Sequence, residues 1–318
     1  MSIRYGIVST ARIVPRFVAG VKESREGEVV AIAARELERA EKMAKELEIP
    51  TAYGSYEELF QDSTIDIVYI ATYNKTHYEI CKQALLHGKH VLLEKPFTLK
   101  AQEAKELFHL AKEQHVFLME AQKAVFLPVI QEVKKRIENG EIGKIRLLRA
   151  TISSPNAEEI SWFWRLAAGG GAFRGSGSYP LQVMQFLLGT LTSEATGTAS
   201  FTQETDSQCD VSVRFGNEIL GNLFITVDFL LPNELVIYGD QGVIRIPNFW
   251  KSAEATIELS THYENFSFPQ ESEFVFEVDH VNECLNKKLL TSPWMTEELT
   301  VHTVATMENL YKEWTAFQ

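Results

Sequence analysis

The sequence has few features that would direct it to a nucleic acid, a membrane or an oxidising compartment. It has only three cysteines in 318 residues, far apart and without CxxC spacing, which favours a reducing compartment and buried thiols. A net charge of −12 without a basic cluster excludes an electrostatic surface for nucleic acid or an anionic membrane. No apolar run approaches the roughly 20 residues of a membrane span, and the N-terminus enters a strand pattern directly, without a signal peptide. We therefore expect a soluble, cytoplasmic protein.

Metal-binding and repeat patterns are also lacking. The eight histidines are scattered, without HxH or HExxH spacing, so no metal site is predicted. There is no internal repeat, low-complexity tract or long linker. The apolar content of 45% is that of a globular protein, and the length suits two domains.

Short apolar runs alternate with helical patterns through about residue 120. Strands are predicted over 28–34 and over 65–71, which is apolar except for Asp66, and an exposed helix is predicted over 36–48. This alternation predicts βαβ units and a parallel sheet covered on both faces. Right-handed connections then give a doubly wound sheet of the Rossmann type. We assign residues 1–122 to this α/β dinucleotide-binding domain.

The pattern changes in the second part of the chain. Strands with period-two alternation fill about 193–260, and the GDQG at 239–242 predicts a hairpin turn. Helices are predicted over 272–288 and 296–314. We assign residues 123–318 to an α+β domain with a large, mainly antiparallel sheet.

The first strand-to-helix turn departs from the dinucleotide fingerprint G-x-G-x-x-G. In GIVSTARIV the three glycine positions are taken by Ser9, Ala11 and Val14. Small side chains at Ser9, Thr10 and Ala11 still permit close approach of a phosphate, and hydroxyls can donate hydrogen bonds to it. A phosphate-binding loop and a purely structural turn both remain open here.

The end of the second strand favours NADP over NAD. An NAD site needs a carboxylate there for the ribose 2′-hydroxyl, whereas arginine suits a 2′-phosphate. The sequence AIAARELERA has no acid at Ala33 or Ala34 and has Arg35 and Arg39 just beyond. The alternative interpretation is that Arg35 only begins an exposed helix.

The apolar run HVLLEKPFT places Lys95 at a strand end, followed by Pro96. Ligands bind at the carboxyl edge of a parallel sheet. A lysine beside an oxidised nicotinamide would have a lowered pKa, within a range useful for proton transfer. A surface turn with solvated charges is the alternative.

Long motifs in chain order resemble the glucose–fructose oxidoreductase/inositol dehydrogenase family of NAD(P)-dependent enzymes. In the first half these are IATYNKTHYE, GKHVLLEKPFTLKAQEAKEL and LMEAQKAVFLP. In the second half FWRLAAGGGAF, GDQGVIRIPNFW and FEVDHVNECLNKKLLTSPWMTEELTV resemble its dihydrodiol dehydrogenase branch in particular. The resemblance covers nearly the whole chain.

This resemblance implies an oxidoreductase that moves hydride between nicotinamide and a carbinol or carbonyl carbon of a sugar, polyol or cyclic diol. NADP, or NAD, would be the cofactor, and an open C-terminal sheet would pair subunits in a homodimer or larger homo-oligomer. Lys95 and Tyr179 would be the catalytic residues, with a Lys95–Pro96 bond that is often cis. The residues expected to contact the cofactor are Ser9, Thr10, Ala11, Arg12, Ile13, Arg35, Arg39, Thr72, Asn74, His77, Glu94, Lys95, Trp164 and Arg165.

Three positions depart from the family pattern. Gly175 stands where the family has an aspartate four residues before its His or Tyr, here Tyr179. Tyr73 replaces a usual proline, and Lys123 stands where many relatives have an aromatic residue. The lost carboxylate leaves a second hypothesis open: a cofactor-binding sensor or regulatory protein of the same fold without turnover.

Overall fold

The computed structural model describes residues 2–316, except for the side chain of residue 158. These residues form two compact units. The first contains the described residues up to Gln122 together with Ser272–Val301, and the second contains Lys123–Glu271 and the described residues from His302 onward. The division into domains 1–122 and 123–318 stays a prediction, and the compact units differ from it in residues 272–301.

The first unit is built on a parallel sheet. Within the described part of the chain its strands are β1 (Ile3–Val8), β2 (Gly27–Ala33), β3 (Thr51–Tyr53), β4 (Ile67–Ile70), β5 (His90–Glu94) and β6 (Leu118–Ala121). They pair in the order β3-β2-β1-β4-β5-β6, every pair parallel. The order reverses between β1 and β4, which is where ligands bind to doubly wound sheets. The predicted Rossmann fold is confirmed.

Helices follow the strands of this sheet. Their bounds are α1 (Val14–Glu23), α2 (Leu37–Leu47), α3 (Tyr56–Gln61), α4 (His77–Leu86) and α5 (Ala101–Glu113). The predicted N-cap of α3 is confirmed, because the Ser55 hydroxyl accepts the amide of Glu58 at 3.2 Å. Helix α2 buries only Ala40 and Ala44, as its charged sequence predicts.

The second unit is built on a mixed sheet. Its strands within the described residues are β7 (Ile145–Ser153), β8 (Glu194–Thr202), β9 (Thr205–Phe215), β10 (Ile219–Thr226), β11 (Glu234–Gly239), β12 (Gly242–Pro247), β13 (Glu254–Leu259) and β14 (Tyr263–Ser267). The order is β14-β13-β12-β11-β7-β10-β9-β8. Only β7 and β10 pair in parallel among these strands. The expected, mainly antiparallel sheet is confirmed, as is the hairpin turn between β11 and β12.

The remaining helices are α6 (Pro128–Glu138), α7 (Ala172–Ser176), α8 (Ser178–Leu188), α9 (Val275–Asn286) and α10 (Glu297–Thr315). Helix α9 belongs to the first unit, because its N-terminal end packs on α1. A Cβ at Gly20 would lie 2.5 Å from the Cβ of Phe274, so only glycine permits this approach. The Phe274 ring also meets Phe17 edge-on at 6.0 Å, and the Tyr5 hydroxyl donates to Asn282 Oδ1 at 2.7 Å.

All three cysteines, Cys81, Cys209 and Cys284, are buried and unpaired as disulfides. Burial raises the pKa of each thiol, that of Cys284 to about 11. The prediction of buried thiols is confirmed. None of the helices traced between residues 2 and 316 is both long and apolar enough to cross a membrane.

Candidate active site

The loop after β1 begins with a strained serine. Ser9 has a φ of 109°, a region that favours glycine, and it occupies the first of the missing glycine positions. Its amide donates to the Ala33 carbonyl at 2.9 Å, and its hydroxyl oxygen accepts the amide of Ala11 at 3.1 Å. The first bond ties the loop to the end of β2, the second lies within the loop, and both support the strained conformation.

A cavity of about 110 Å³ opens where β1, β2 and β4 end. It therefore lies at the carboxyl edge of the sheet, on both sides of the point where the strand order reverses. Its lining consists of Ser9, Thr10, Ala34, Arg35, Arg39, Tyr56, Thr72, Tyr73, Thr76 and Ile80.

The charge of this cavity is positive. Arg35 precedes α2 and Arg39 lies in its first turn, and both side chains are exposed. The described lining contains no carboxylate. Burial raises the pKa of the Tyr56 phenol, while the positive charges of Arg35 and Arg39 act against this rise. A pair of guanidinium groups with neighbouring hydroxyls is a donor set suited to a phosphate group.

The chain after β4 forms a tight turn that leads into α4. Asn74–Thr76 form one turn of 3₁₀-helix, in which the Thr76 hydroxyl lies 2.8 Å from the Tyr73 carbonyl and 2.9 Å from the Thr72 hydroxyl. Asn74 is buried at the start of this turn. The turn therefore holds Thr72 and Tyr73 at the wall of the cavity.

His77 connects the ends of two neighbouring strands. Its ring is fully buried, with Nδ1 2.9 Å from the Pro96 carbonyl and Nε2 3.0 Å from the Thr72 carbonyl. Burial lowers the pKa of this imidazole, although the two carbonyls and the nearby Glu94 carboxylate act in the opposite direction. A neutral ring donates to only one carbonyl. The position between two strand ends assigns His77 a part in shaping the turn.

Lys95 lies at the end of β5, and its peptide bond to Pro96 is cis, as the resemblance implies. The side chain keeps part of its surface exposed, yet the surrounding protein desolvates the ammonium group. This desolvation lowers the pKa of Lys95, and the carboxylates of Glu94 and Glu120 partly oppose it. Glu120 is itself buried and accepts the amide of Phe97 at 3.2 Å. A desolvated amine with a lowered pKa is a candidate for proton transfer.

Tyr179 lies in the second unit, in the first turn of α8, and is partly buried. Its ring centroid is 6.1 Å from that of Trp250. The ammonium of Lys123, a residue only 4% exposed, lies 5.7 Å from the centre of the Tyr179 ring. This is a cation–π distance, so the lysine that departs from the family pattern contacts the expected catalytic tyrosine.

Trp164 and Arg165 also belong to the second unit. The Trp164 ring is partly buried and packs edge-on against Phe163 with centroids 4.7 Å apart, whereas Arg165 is exposed. Gly175 lies within α7, where an added Cβ would have no atom within 4 Å. The position of the missing aspartate is therefore open.

The structure brings together part of the predicted cofactor-binding set. Ser9, Thr10, Arg35, Arg39 and Thr72 line the cavity. The other predicted residues of the first unit do not line it: Ala11, Arg12, Ile13, Asn74, His77, Glu94 and Lys95. A role for any of these residues in cofactor binding stays a prediction.

Five lining residues are outside the predicted set: Ala34, Tyr56, Tyr73, Thr76 and Ile80. Tyr73 is, in the sequence, only a departure from the family pattern. One feature of the sequence could have indicated that Tyr56 lines the site. It directly follows the N-cap Ser55, at the end of the third βα turn. Among residues 2–316 no group of three or more metal-binding side chains is arranged to hold an ion.

The fold and the cavity define a dinucleotide-binding enzyme of the Rossmann class. Residues 3–122 match the model of the oxidoreductase family with an NAD-binding Rossmann fold, GFO_IDH_MocA. Residues 130–245 match the GFO/IDH/MocA C-terminal domain. The chain belongs to this oxidoreductase family and is an NAD(P)-dependent dehydrogenase or reductase.

Curated relatives match over most of their length. The trans-1,2-dihydrobenzene-1,2-diol dehydrogenase of Xenopus laevis is 32% identical over 308 residues, covering 93% of each chain. The enzyme of the same name from Mus musculus is 32% identical over 309 residues, covering 92% of this chain and 91% of the relative. Both comparisons agree with the branch that the motifs indicate.

Solved structures share the fold. A 3-ketoreductase from Actinomadura kijaniata, in complex with NADP and TDP-benzene, has a TM-score of 0.88 at 23% identity, covering 98% of both chains. An aldose-aldose oxidoreductase from Caulobacter crescentus, complexed with glycerol, has a TM-score of 0.88 at 19% identity, covering 100% of this chain and 99% of the other. At these identities the likeness concerns the fold.

Proposed function

We propose that this enzyme prefers NADP and moves hydride between nicotinamide and a carbinol or carbonyl carbon of a sugar, polyol or cyclic diol. One observation carries the cofactor preference: Arg35 and Arg39 both line the cavity at the end of β2, and its described lining contains no carboxylate. A 2′-phosphate gains charge-assisted hydrogen bonds from guanidinium groups. A bare ribose hydroxyl gains much less, because it carries no charge.

The cofactor preference is tested by titrating NADPH and NADH into the unaltered chain and into Arg35→Ala and Arg39→Ala. Each charge-assisted bond contributes about 1.5–3 kcal/mol. We therefore expect the Kd for NADPH to rise about 10- to 100-fold and the Kd for NADH to change by less than about threefold. Arg25→Ala, at an exposed position in the same unit, is the matched control. Equal weakening of both cofactors by the Arg35 and Arg39 variants would contradict the 2′-phosphate role.

Lys95 is the proposed acid–base residue. When bound, the dinucleotide supplies the carbon that accepts or donates hydride. In the oxidation direction the neutral Lys95 amine takes the proton of the substrate hydroxyl, and in the reduction direction its ammonium returns that proton. Burial lowers the pKa of Lys95 from its ordinary value, which supports a role in proton transfer in both directions. Tyr179 is proposed as a second proton-transfer residue, supported by its contact with Lys123.

The substrate class is supported by the relatives and is tested by turnover. Two relatives are dihydrodiol dehydrogenases, and the neighbouring structures are a 3-ketoreductase and an aldose-aldose oxidoreductase. Polyols, aldoses and a trans-dihydrodiol should therefore be screened with NADP by absorbance of the reduced nicotinamide. Nicotinamide binding without turnover of any carbinol or carbonyl compound would contradict the proposal and favour the sensor hypothesis.

We further propose a homodimer or larger homo-oligomer in the cytoplasm. The family resemblance supports the oligomer, and the low cysteine content supports a reducing compartment. Light scattering at micromolar concentration tests the oligomeric state, and a monomer would contradict it.

A further inference from the structure

The segment that carries Trp164 and Arg165 is fastened at three points to the start of β9. The Thr205 hydroxyl donates to the Phe163 carbonyl at 3.1 Å. The amide of Leu166 donates to the Glu204 carboxylate at 3.3 Å, and the amide of Phe173 donates to Asp206 Oδ2 at 2.7 Å. Two of these contacts are to the residues immediately before and after the Trp164–Arg165 pair.

A second set of contacts comes from Tyr311 in α10. Its hydroxyl donates to Asp206 Oδ1 and accepts the amide of Arg174 at 3.3 Å. The guanidinium of Arg174 lies 4.0 Å from the centre of the Tyr311 ring. The same guanidinium donates to the Leu166 carbonyl at 3.0 Å, so Arg174 links Tyr311 back to the segment.

Asp206 and Tyr311 pack tightly against the backbone at Gly171. Gly171 has a φ of 115°, and a Cβ there would overlap both Asp206 Oδ1 and the Tyr311 hydroxyl. Asp206 is fully buried, and a buried carboxyl group depends on its hydrogen-bond partners. Loss of one partner therefore changes the position of the backbone that the others hold.

We propose that Thr205, Asp206, Arg174 and Tyr311, which we call the clamp, are positioning residues for the Trp164–Arg165 pair. The clamp holds the backbone around a pair that is itself only partly buried or exposed, and so presents both side chains in one conformation to the nicotinamide cofactor. The inference rests on the proposed function, and on the contact between this pair and the cofactor that the family resemblance implies. Its physical basis is preorganisation: a segment held in its binding conformation does not lose conformational entropy on binding.

The test uses Tyr311→Phe and Asp206→Asn in the full chain. Hydrogen exchange followed by mass spectrometry should show the amides within 163–175 exchanging about 5- to 10-fold faster, the ratio that one lost hydrogen bond gives. The Kd for NADPH should rise about tenfold and kcat should fall. Arg174→Lys and Arg174→Met both keep the hydrogen bond from the backbone amide of residue 174 to Tyr311. Arg174→Lys should retain part of the cofactor affinity, and Arg174→Met should lose it. These milder variants keep the test usable if Asp206→Asn does not fold.

Matched controls separate positioning from stability. Tyr263→Phe and Asp210→Asn change exposed residues of the same types in the same unit. Thr192→Val removes a different, partly buried hydrogen bond, that to His302, and should lower the melting temperature without changing the Kd for NADPH. A clamp variant that loses cofactor affinity only as much as Thr192→Val does would overturn the proposal.

The outcomes distinguish the clamp from the proposed function. Unchanged exchange within 163–175, or faster exchange with unchanged NADPH affinity, would overturn the clamp while the proposed function stands. Failure of the unaltered chain to bind NADPH or NADH would overturn the proposed function and the cofactor role of the clamp together. Faster exchange together with weakened NADPH binding, in the clamp variants and not in the controls, would support the positioning role of the clamp.

Discussion

The backbone amide of Lys95 donates a hydrogen bond to Oε2 of Glu94 at 3.0 Å. The other oxygen of this carboxylate accepts the Tyr69 hydroxyl at 2.7 Å, and the Tyr69 ring is stacked on Phe17 with centroids 3.6 Å apart. The carboxylate is thus fixed from the core of the first unit. Its charge opposes the lowering of the Lys95 pKa by burial, so Glu94 favours the protonated form of the neighbouring amine.

Glu94→Gln should shift the pH dependence of kcat/KM. Without the carboxylate, the burial effect on Lys95 is less opposed, and the pKa of the amine falls further. The limb of the pH profile that reports Lys95 should move to lower pH, whichever direction of reaction is followed. Glu79→Gln, at an exposed position of α4, should leave the profile unchanged. A limb that stays in place or moves upward would show that Glu94 does not act on Lys95.

Lys95→Met should remove proton transfer while keeping the fold. We expect kcat to fall about 10²- to 10⁴-fold, the usual contribution of a general acid or base, with a much smaller change in the Kd for NADPH. Steady-state kinetics and fluorescence titration measure the two effects separately. Lys100→Met, with a mainly exposed side chain, is the control. Retention of more than about a tenth of kcat would exclude Lys95 as the acid–base residue.

Two glycines only four residues apart should respond oppositely to alanine. Gly175→Ala should raise the free energy of unfolding by about 0.5–1 kcal/mol, because it replaces a helical glycine where a Cβ meets nothing. Gly171→Ala should lower it by more than this, because φ is 115° and the Cβ overlaps Asp206 and Tyr311. Urea unfolding of both variants measures the difference. Similar effects of the two substitutions would contradict the packing around Gly171.

Stability should fall as the pH drops below about 6.5, partly through His280. Burial lowers the pKa of His280 to about 4, whereas an unfolded histidine titrates near 6.5. The unfolded chain therefore binds the proton first, and stability is lost as the pH falls from about 6.5 towards 4. His280→Gln should reduce the difference in unfolding free energy between pH 7 and pH 5, and the exposed His109→Gln should not. An unchanged difference in His280→Gln would contradict the burial effect. The pKa values of His77 and His90 are also lowered by burial, so some pH dependence should remain.

Much of the fold followed from local patterns. The wholly apolar run of β4 predicted a strand buried on both faces, and every residue from Ile67 to Ile70 is buried. The local sequence of a helix does not determine which other element the helix packs against. Helix α9 was assigned to the second domain, but Phe274 at its start packs on Phe17 and Gly20 of α1. The amphipathic pattern of a helix predicts that one side is covered without indicating by what.

The site was predictable where it depends on strand ends. Ser9, Arg35 and Thr72 follow β1, β2 and β4, which are neighbours in the sheet, and the structure places all three at one cavity. Tyr56 lines the same cavity but follows β3, a strand of only three residues, whose end the sequence did not define. The hydrogen bond between Asp206 and Tyr311 joins residues 105 positions apart, and neither residue stands in a recognisable motif.

The first unit is assembled from two separated stretches of chain, and this has a consequence for biosynthesis. Gly20 of α1 packs closely against Phe274. Phe274 is translated only after the whole of Lys123–Glu271. During translation the first unit therefore cannot be completed until Lys123–Glu271 and Ser272–Val301 have been synthesised. Until then this face of α1 stays uncovered. A fragment that stops at residue 122 should accordingly be prone to aggregation, and expression as an isolated module would require the later stretch to be supplied with it.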